Sequence, residues 1–475
     1  MTIPDDARLR AYHFAASVTG AEILAKLVAA GDAPAPGVLR LVDSELERHA
    51  DGFDRVWLRA FLCDLARARS KSSAKFLPRD TENMLGEVSM LEQASGHRVA
   101  TYKAQRFARF GVHAMLDVCC GLGGDTRALV REFGAAAVFA IDRDAAAAFV
   151  TENATGCRSL VGDACTELRR AIVLARADGD TASTTRRLRI GTHIDPARRS
   201  EGKRRGASLE ALEPGLEECL DAVLEVAHDG DVVAFKLAPG LDATEVLGHL
   251  HTRAGIESVE LEWIAEPEGL VQAVLWISLR TAASLARVTR RATRILASMP
   301  ESMPAGAGAT VTFAMEPGAC VQRRQDPNYE DIDQLAGRVL IEPDPVLERS
   351  GVLDAWLAEH APTSRELWPG LGLYVDRDDG GGSGFAATRF RCRATRILAA
   401  SPWRPKKVRA LLDARRAQVR EFRTRGRAVE FDEARAIASK ASARDPDRDA
   451  VDLWGLRLGR RRIALLTESA VRSWS

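Results

Sequence analysis

The chain has 475 residues, 46% of them hydrophobic and 28% charged, enough for about three domains of ordinary globular composition. No apolar run approaches the roughly 20 residues of a membrane-spanning helix, and MTIPDDARLR lacks a basic-then-apolar leader. A cytoplasmic protein without a membrane partner is therefore expected. The 8 cysteines include no CxxC pair, which argues against a zinc site or a disulfide framework, so no metal is expected. The net charge of +1 hides an asymmetry: residues 385–475 carry 23 Lys and Arg against 10 Asp and Glu, so the remainder is acidic. A basic module on an acidic chain points to nucleic acid.

Residues 1–110 read as helical. LAKLVAAG, GVLRLVDSELERH and VWLRAFLCDLARAR place apolar residues three and four apart. GDAPAPG (Gly31 to Gly37) reads as a linker and RSKSSAKFLPRD as a polar loop. MLEQASGHRVATYKAQRFARFG brings two helices, the second basic, up to the first strand.

From 111 to 285 strands and helices alternate, the pattern of a doubly wound α/β sheet. HAMLDV (His113 to Val118) is a strand ending in an acid, followed by Gly121, Gly123, Gly124 and a helix, TRALVREF. Glycines let the chain turn with positive φ and let a ligand lie on bare main chain, and helix-start N–H groups favour electron-rich atoms. AAAVFAID ends in Asp142, 25 positions after Asp117, and SLVGDA carries Asp163. An acid at that offset accepts hydrogen bonds from a ribose in dinucleotide-binding folds, along the sheet edge where ligands bind. RLRIGTHID, DVVAFKLAPG and the pair ESVELEWIAE and QAVLWISL complete seven strands, the last two joined as a hairpin. LEECLDAVLEVAHDG is a helix closing at Gly230.

Residues 286–385 form a connecting α+β region with no simple fold. RVTRRATRI and TVTFAMEPG read as strands there, VLIEPDPVLERSGVLDAWLAEH as strand, proline turn and helix, and DRDDGGGSG (Asp376 to Gly384) as a flexible linker. Residues 386–475 form a small basic α+β module. ATRFRCRATRIL is a strand, SPWRPKKVRALLDARR a helix capped by its serine, VREFRTRG a basic strand and VEFDEARAIASKAS a strand–helix unit. LWGLRLGRRRIALLTES is a hairpin turning at Gly459 and Arg460.

The pattern LDVCCGLGGD, with Asp142 and Asp163 behind it, resembles class I S-adenosylmethionine-dependent methyltransferases. Its GxGGD departs from the common GxGxG, placing Asp125 where a third glycine often stands. With Lys75-Phe76, LEQAS, VATYKAQR, DPARR, EPDP and SPWRPKKVRALL, the chain from about residue 60 onward is similar to bacterial methyltransferase-like proteins with a C-terminal THUMP-like domain. The resemblance implies a Rossmann-like seven-stranded sheet and S-adenosyl-L-methionine as cofactor. It implies backbone contacts from Cys119 to Gly123, among them Gly121, ribose contacts at Asp142, adenine contacts at Asp163, and Asp117 reaching the methionine amino group. It also places Gln93, Tyr102, Lys103 and Arg106 near the site.

DPARR stands where many such enzymes place an acid or amide and a proline beside the transferring methyl. Asp195 and Pro196 match, but Ala197 and Arg198 replace the second proline and the aromatic of NPPY or DPPY. An aromatic clamp on a flipped base is therefore unsupported. Asp195, Pro196 and Arg198 are the catalytic candidates: Asp195 to take a proton or orient the acceptor, the arginine to bind phosphate or carboxylate. His193 reads as a core histidine rather than a base. Arg199, Arg204, Lys406, Lys407, Arg423, Arg425 and Arg461 are candidates for phosphate contacts, which give affinity with little sequence reading. The expected function is methylation of a structured RNA delivered by the basic module. The alternatives are an RNA-binding protein with a non-catalytic methyltransferase fold and a small-molecule methyltransferase.

Overall fold

A computed structural model of the chain describes residues 5–180, 188–198, 209–250, 253–280, 287–296, 310–315, 332–376, 390–430, 432–433, 436–437 and 449–469. Two compact units result: Met1–Glu266 with Val271–Val288, and Pro267–Leu270 with Thr289–Ser475.

The first unit opens with helices α1 (Asp5–Ala16), α2 (Val18–Ala30), α3 (Pro36–His49), α4 (Arg55–Lys71), α5 (Pro78–Thr81), α6 (Val88–Gln93) and α7 (His97–Arg109). Local chemistry sets their starts. Ser17 accepts from the Gly20 N–H, Asp54 accepts from those of Val56 and Trp57, and Pro36 needs no N–H at its first-turn position. The apolar stripes of α2 (Ile23, Leu24, Leu27) and α4 (Leu58, Leu62, Leu65) meet around Tyr12 in one buried cluster. The segment RSKSSAKFLPRD is more ordered than a polar loop. Helix α4 runs on to Lys71, and α5 starts on Pro78. Arg69 Nε donates to the Met84 carbonyl at 3.0 Å, and Lys75 Nζ to those of Leu91 and Ala94 at 2.9 and 3.0 Å. Arg69 and Lys75 thus satisfy main-chain acceptors, while Lys71 and Arg79 are exposed. Among the described residues no single helix is long and apolar enough to cross a membrane. Helices α1 and α2 reach that length and hydropathy only as a pair bent by 82°.

The chain then alternates through β1 (Ala114–Val118), α8 (Gly124–Phe133), β2 (Val138–Asp142), α9 (Ala145–Thr155), β3 (Arg158–Val161), α10 (Ala164–Asp180) and β4 (Ile190–Ile194). A two-residue ladder of β5 (Ala197–Arg198) and β6 (Leu212–Glu213) follows, then α11 (Leu216–Leu224), β7 (Val232–Leu237), α12 (Ala243–Gly248), β8 (Ile256–Glu266) and β9 (Gly269–Leu279). Strand order within this unit is β8-β9-β7-β4-β1-β2-β3. The neighbours from β7 to β3 are parallel, and β9 runs antiparallel to β7. β1 and β4 are buried along their whole lengths, as both-face packing demands. The sheet's C-terminal edge presents the ends of β4, β1 and β2 side by side. The helix expected to close at Gly230 ends at Leu224, and α12 adds a helix not read from the pattern.

In the second unit β10 (Arg287–Ile295) and β11 (Thr310–Met315) pair antiparallel. Its main sheet uses β12 (Val339–Glu342), β13 (Arg365–Glu366), β14 (Tyr374–Asp376), β15 (Arg393–Pro402), β16 (Ala417–Arg425), β17 (Asp449–Leu458) and β18 (Arg461–Glu468), in the order β13-β14-β12-β15-β18-β17-β16. Helices α13 (Pro345–Arg349), α14 (Leu353–His360) and α15 (Pro405–Ala414) complete it. The hairpin at Gly459 and Arg460 forms as read, between β17 and β18. The expected division near residue 385 does not separate two sheets. β12, before it, pairs with β15, after it, with Leu340 opposite Thr395. Leu340 and Val375 share a buried cluster with Ile397, Trp454 and Leu465. DRDDGGGSG beyond Asp376 and most of VEFDEARAIASKAS lie outside the described residues. Ser401 does not cap α15. The chain is still in β15 there, and Trp403 donates its N–H to the Arg462 carbonyl at 2.8 Å, so the helix starts at Pro405 behind Arg404.

Candidate active site

The glycine turn after β1 is built by its neighbours. Cys119 and Cys120 donate their N–H groups to the Ile141 carbonyl, and the Thr151 hydroxyl donates to that of Gly121 at 2.9 Å. The Arg127 guanidinium, 4% exposed, donates to the carbonyls of Leu122 and Gly123 and lies over the Phe76 ring. Burial lowers this guanidinium to about 10. Cys119, Gly121 and Gly123 all have positive φ (62°, 55° and 73°). At Gly121 the space where a Cβ would stand holds no atom within 4 Å, so the main chain is bare towards the cavity beside it. At Gly124 a Cβ would meet the Ser95 carbonyl at 2.7 Å. The loop carrying Ser95 thus lies directly against the start of α8.

That cavity, of about 700 Å³, is lined by Asp117, Cys119, Gly121, Asp142, Asp163, Asp195, Pro196 and Lys236, among others. The structure thus brings the cofactor candidates together with two of the catalytic candidates. Gly123, within the turn, is not among the lining residues. Asp142 Oδ2 accepts from the Gly121 N–H and Oδ1 from that of Asp144, both at 2.9 Å. The Cys120 thiol also approaches Oδ2, at 3.9 Å, so some capacity remains for a ribose hydroxyl among the about four acceptor sites of the carboxylate. Burial raises its pKa, and those two N–H groups oppose the rise. Asp163 caps α10 through the N–H and hydroxyl of Thr166, both at 3.0 Å, and these bonds lower its pKa.

Asp117 is committed differently from the expectation. It is 1% exposed, with Oδ1 accepting from His193 Nδ1 at 2.8 Å and Oδ2 from the Thr126 hydroxyl. His193 Nε2 in turn faces Lys103 Nζ at 2.9 Å, and that ammonium pairs with Asp125 at 2.7 Å. The core position read for His193 is correct, and there it joins Asp117 to Lys103. Tyr102 and Arg106 bond Glu262, and Gln93 lines the cavity.

At the other end, Asp195 follows β4 and its Oδ2 accepts from Lys236 Nζ at 2.6 Å. Lys236 Nζ also lies 3.4 Å from the Ser95 hydroxyl. Burial lowers the lysine pKa, but the charges of Asp195 and Asp125 outweigh it and hold Lys236 above its usual value. Lys236 escaped the sequence reading. Its one signal is a lysine at the C-terminal end of the apolar strand VVAFKL. Pro196 is buried, and Arg198 sits on β5, paired in register with Leu212. Arg199 and Arg204 lie outside the described residues.

The basic candidates of the second unit divide in two. Lys406 and Lys407 are exposed in the first turn of α15, and Arg461 is exposed at the start of β18. Arg423 instead pairs with Glu342 and Glu421, both at 2.7 Å, and stacks over Trp454, while Arg425 reaches the other oxygen of Glu342 at 2.6 Å. Among the described residues no cluster of three or more His, Cys, Asp or Glu could hold a metal ion.

No family model matches the chain. Two curated Mycobacterium tuberculosis proteins, from strains CDC 1551 and H37Rv, are each 34% identical to it over 186 residues. That match spans 39% of this chain and 44%, less than half, of each relative. Both bear the name uncharacterized S-adenosylmethionine-dependent methyltransferase. Among solved structures, a putative RNA methyltransferase from Pyrococcus horikoshii matches at 14% identity and TM-score 0.25, over 39% of this chain and 84% of its own. A putative hemolysin from Lactococcus lactis matches at 17% and 0.25, over 40% and 90%. Likenesses of this size carry no argument about function.

Proposed function

We propose that the chain is an S-adenosyl-L-methionine-dependent methyltransferase with a Rossmann-like sheet, and that its acceptor is a structured RNA. The observation that carries the reading is one cavity holding a bare glycine turn, a carboxylate with spare acceptor capacity and an acid–lysine pair. When bound, the cofactor would supply an electrophilic methyl group. Cys119 and Gly121 would hold it by main chain, Asp142 by the ribose and Asp163 by the adenine. Asp195 would orient the acceptor or take its proton, with Lys236 fixing the carboxylate. Orientation of this kind supplies much of the acceleration in group transfer.

The RNA part rests on the basic C-terminal region, read as a THUMP-like module, with Lys406, Lys407 and Arg461 meeting phosphates. The internal pairing of Arg423 and Arg425 favours one other reading, a small-molecule acceptor, because it satisfies part of the basic charge within the fold. Two measurements test these readings. Titration calorimetry of the full chain with S-adenosylmethionine should show saturable binding. Tritium from labelled cofactor should enter total RNA of a deletion strain. Binding without transfer to RNA, but with transfer to a small-molecule extract, would move the acceptor to the second reading. Binding with no transfer at all leaves an RNA-binding protein with a silent cofactor fold.

A further inference from the structure

The relay beneath the cavity joins Asp117, His193, Lys103 and Asp125, four residues each 7% exposed or less. Its protons can be placed from chemistry. An ammonium has only donors, so His193 Nε2, 2.9 Å from Lys103 Nζ, must accept. The single ring proton is then on Nδ1, donated to Asp117 at 2.8 Å. The imidazole is neutral. Two carboxylates remain against one ammonium. Beside them Lys236 and Asp195 pair at 2.6 Å and cancel each other. A buried unmatched charge is costly unless something compensates it. Asp117 and Asp125 both line the cavity.

We propose that the relay carries one excess negative charge, which a cationic ligand completes, so that the cavity selects the sulfonium cofactor over its neutral thioether product. Lys103, on α7 outside the sheet, is then a positioning residue: it holds His193 in the tautomer that keeps Asp117 an acceptor. The proposal rests on the cofactor reading above and adds a reason for the product to leave. Burial opposes ionisation of Asp125, but the Lys103 ammonium against it overcomes this and holds its carboxyl well below the usual range.

The test is calorimetry of the full chain with S-adenosylmethionine and with S-adenosylhomocysteine, read as the ratio of the two affinities. The wild type should prefer the sulfonium form. Asp125→Asn makes the relay neutral, and the ratio should fall about fivefold or more, as expected for one charge at moderate effective dielectric. The double variant Lys103→Met, Asp125→Asn deletes the ion pair yet restores one excess charge. Its ratio should return towards the wild-type value even where both affinities are weaker, and replacing a buried pair by uncharged side chains is often tolerated. If Asp125→Asn does not fold, Asp117→Asn replaces it: removing either carboxylate leaves the relay neutral, and the ratio should fall likewise. A purely structural role would lower both affinities together and leave the ratio unmoved. A ratio indifferent to relay charge overturns the proposal. A wild-type chain that binds neither ligand overturns the cofactor reading instead.

Discussion

The two units of this protein use charge in opposite ways. In the first, ionised side chains are taken out of water around a cavity: Asp125 is paired with Lys103 and Asp195 with Lys236, while Asp117 is held by His193 and the Thr126 hydroxyl. In the second, lysines of α15 stand in solvent while Arg423 and Arg425 converge on Glu342. Buried charges fix geometry, because removing one partner leaves the other desolvated. Exposed charges fix little and act through their sum, which salt screens. The same residue types are therefore fixed in place in one unit and left to act through their sum in the other.

The sharpest way to break this contrast is at the acid–lysine pair. Asp195→Ala or Lys236→Met should lower turnover about a hundredfold, the scale of a lost proton-handling group. Cofactor affinity should stay within about threefold, since the hydrogen bonds of this pair run between Asp195, Lys236 and Ser95 rather than to the glycine turn. Steady-state rates beside calorimetry check both halves, and equal loss of affinity would move the pair into the cofactor pocket.

Next come the turn and its acid. Gly121→Val must hold a β-branched side chain at φ 55°, and it places atoms where the cavity is open. Cofactor affinity should fall at least about tenfold, as it should for Asp142→Ala, which loses hydrogen bonds to a charged group. The pH dependence has a definite sign. Because burial raises the Asp142 carboxyl, it takes up a proton at a higher pH than an exposed aspartate. On acidification cofactor affinity should therefore weaken before exposed carboxylates titrate. Over the same range the ligand-free protein should gain stability from that group, since its folded pKa lies above its unfolded one. On acidification the melting temperatures with and without cofactor should therefore converge.

A smaller effect is expected in the second unit. Lys406→Ala with Lys407→Ala should reduce the salt dependence of RNA binding by about one unit of slope per lysine, with affinity falling evenly across sequences. Filter binding of total transfer RNA over a salt series measures this. Smallest of all, Arg423→Ala should leave that slope unchanged and lower the melting temperature of the unit by a few degrees, roughly the value of a part-buried ion pair. A change in slope instead would assign Arg423 to the binding surface.

Legibility differed between these regions for physical reasons. The strands around the site announced themselves because apolar runs ending in acids are a local pattern, so β1, β2, Asp117 and Asp142 stood out. Lys236 did not, nor did the pairing of Lys103 with Asp125, since these residues meet only through the tertiary fold: Lys103 comes from α7, Asp125 from α8 and Lys236 from β7. Asp125 looked like a departure from a glycine pattern, and its partner on α7 explains why an acid belongs there. In the second unit the failures were of long-range pairing. Nothing near DRDDGGGSG signals that β12 and β15 on either side share a ladder. Likewise, alternation along VREFRTRG shows which arginines share a face but not that Glu342 waits beside two of them.

Strand β16 has a consequence of another kind. It is the terminal strand in the order of its sheet among the described residues, bonded to β17 alone. An open strand edge is a template on which a second chain can add, and the first step towards fibrils is often such an addition. Arg420, Arg423 and Arg425 lie along that margin. Each is ion-paired within the fold, Arg420 with Asp452, Arg423 with Glu342 and Glu421, and Arg425 with Glu342, so an incoming strand would have to displace or desolvate these pairs, which would guard the protein against self-association. Substituting all three by threonine, a good strand former, should leave the ladder to β17 intact while making the protein prone to aggregate on concentration.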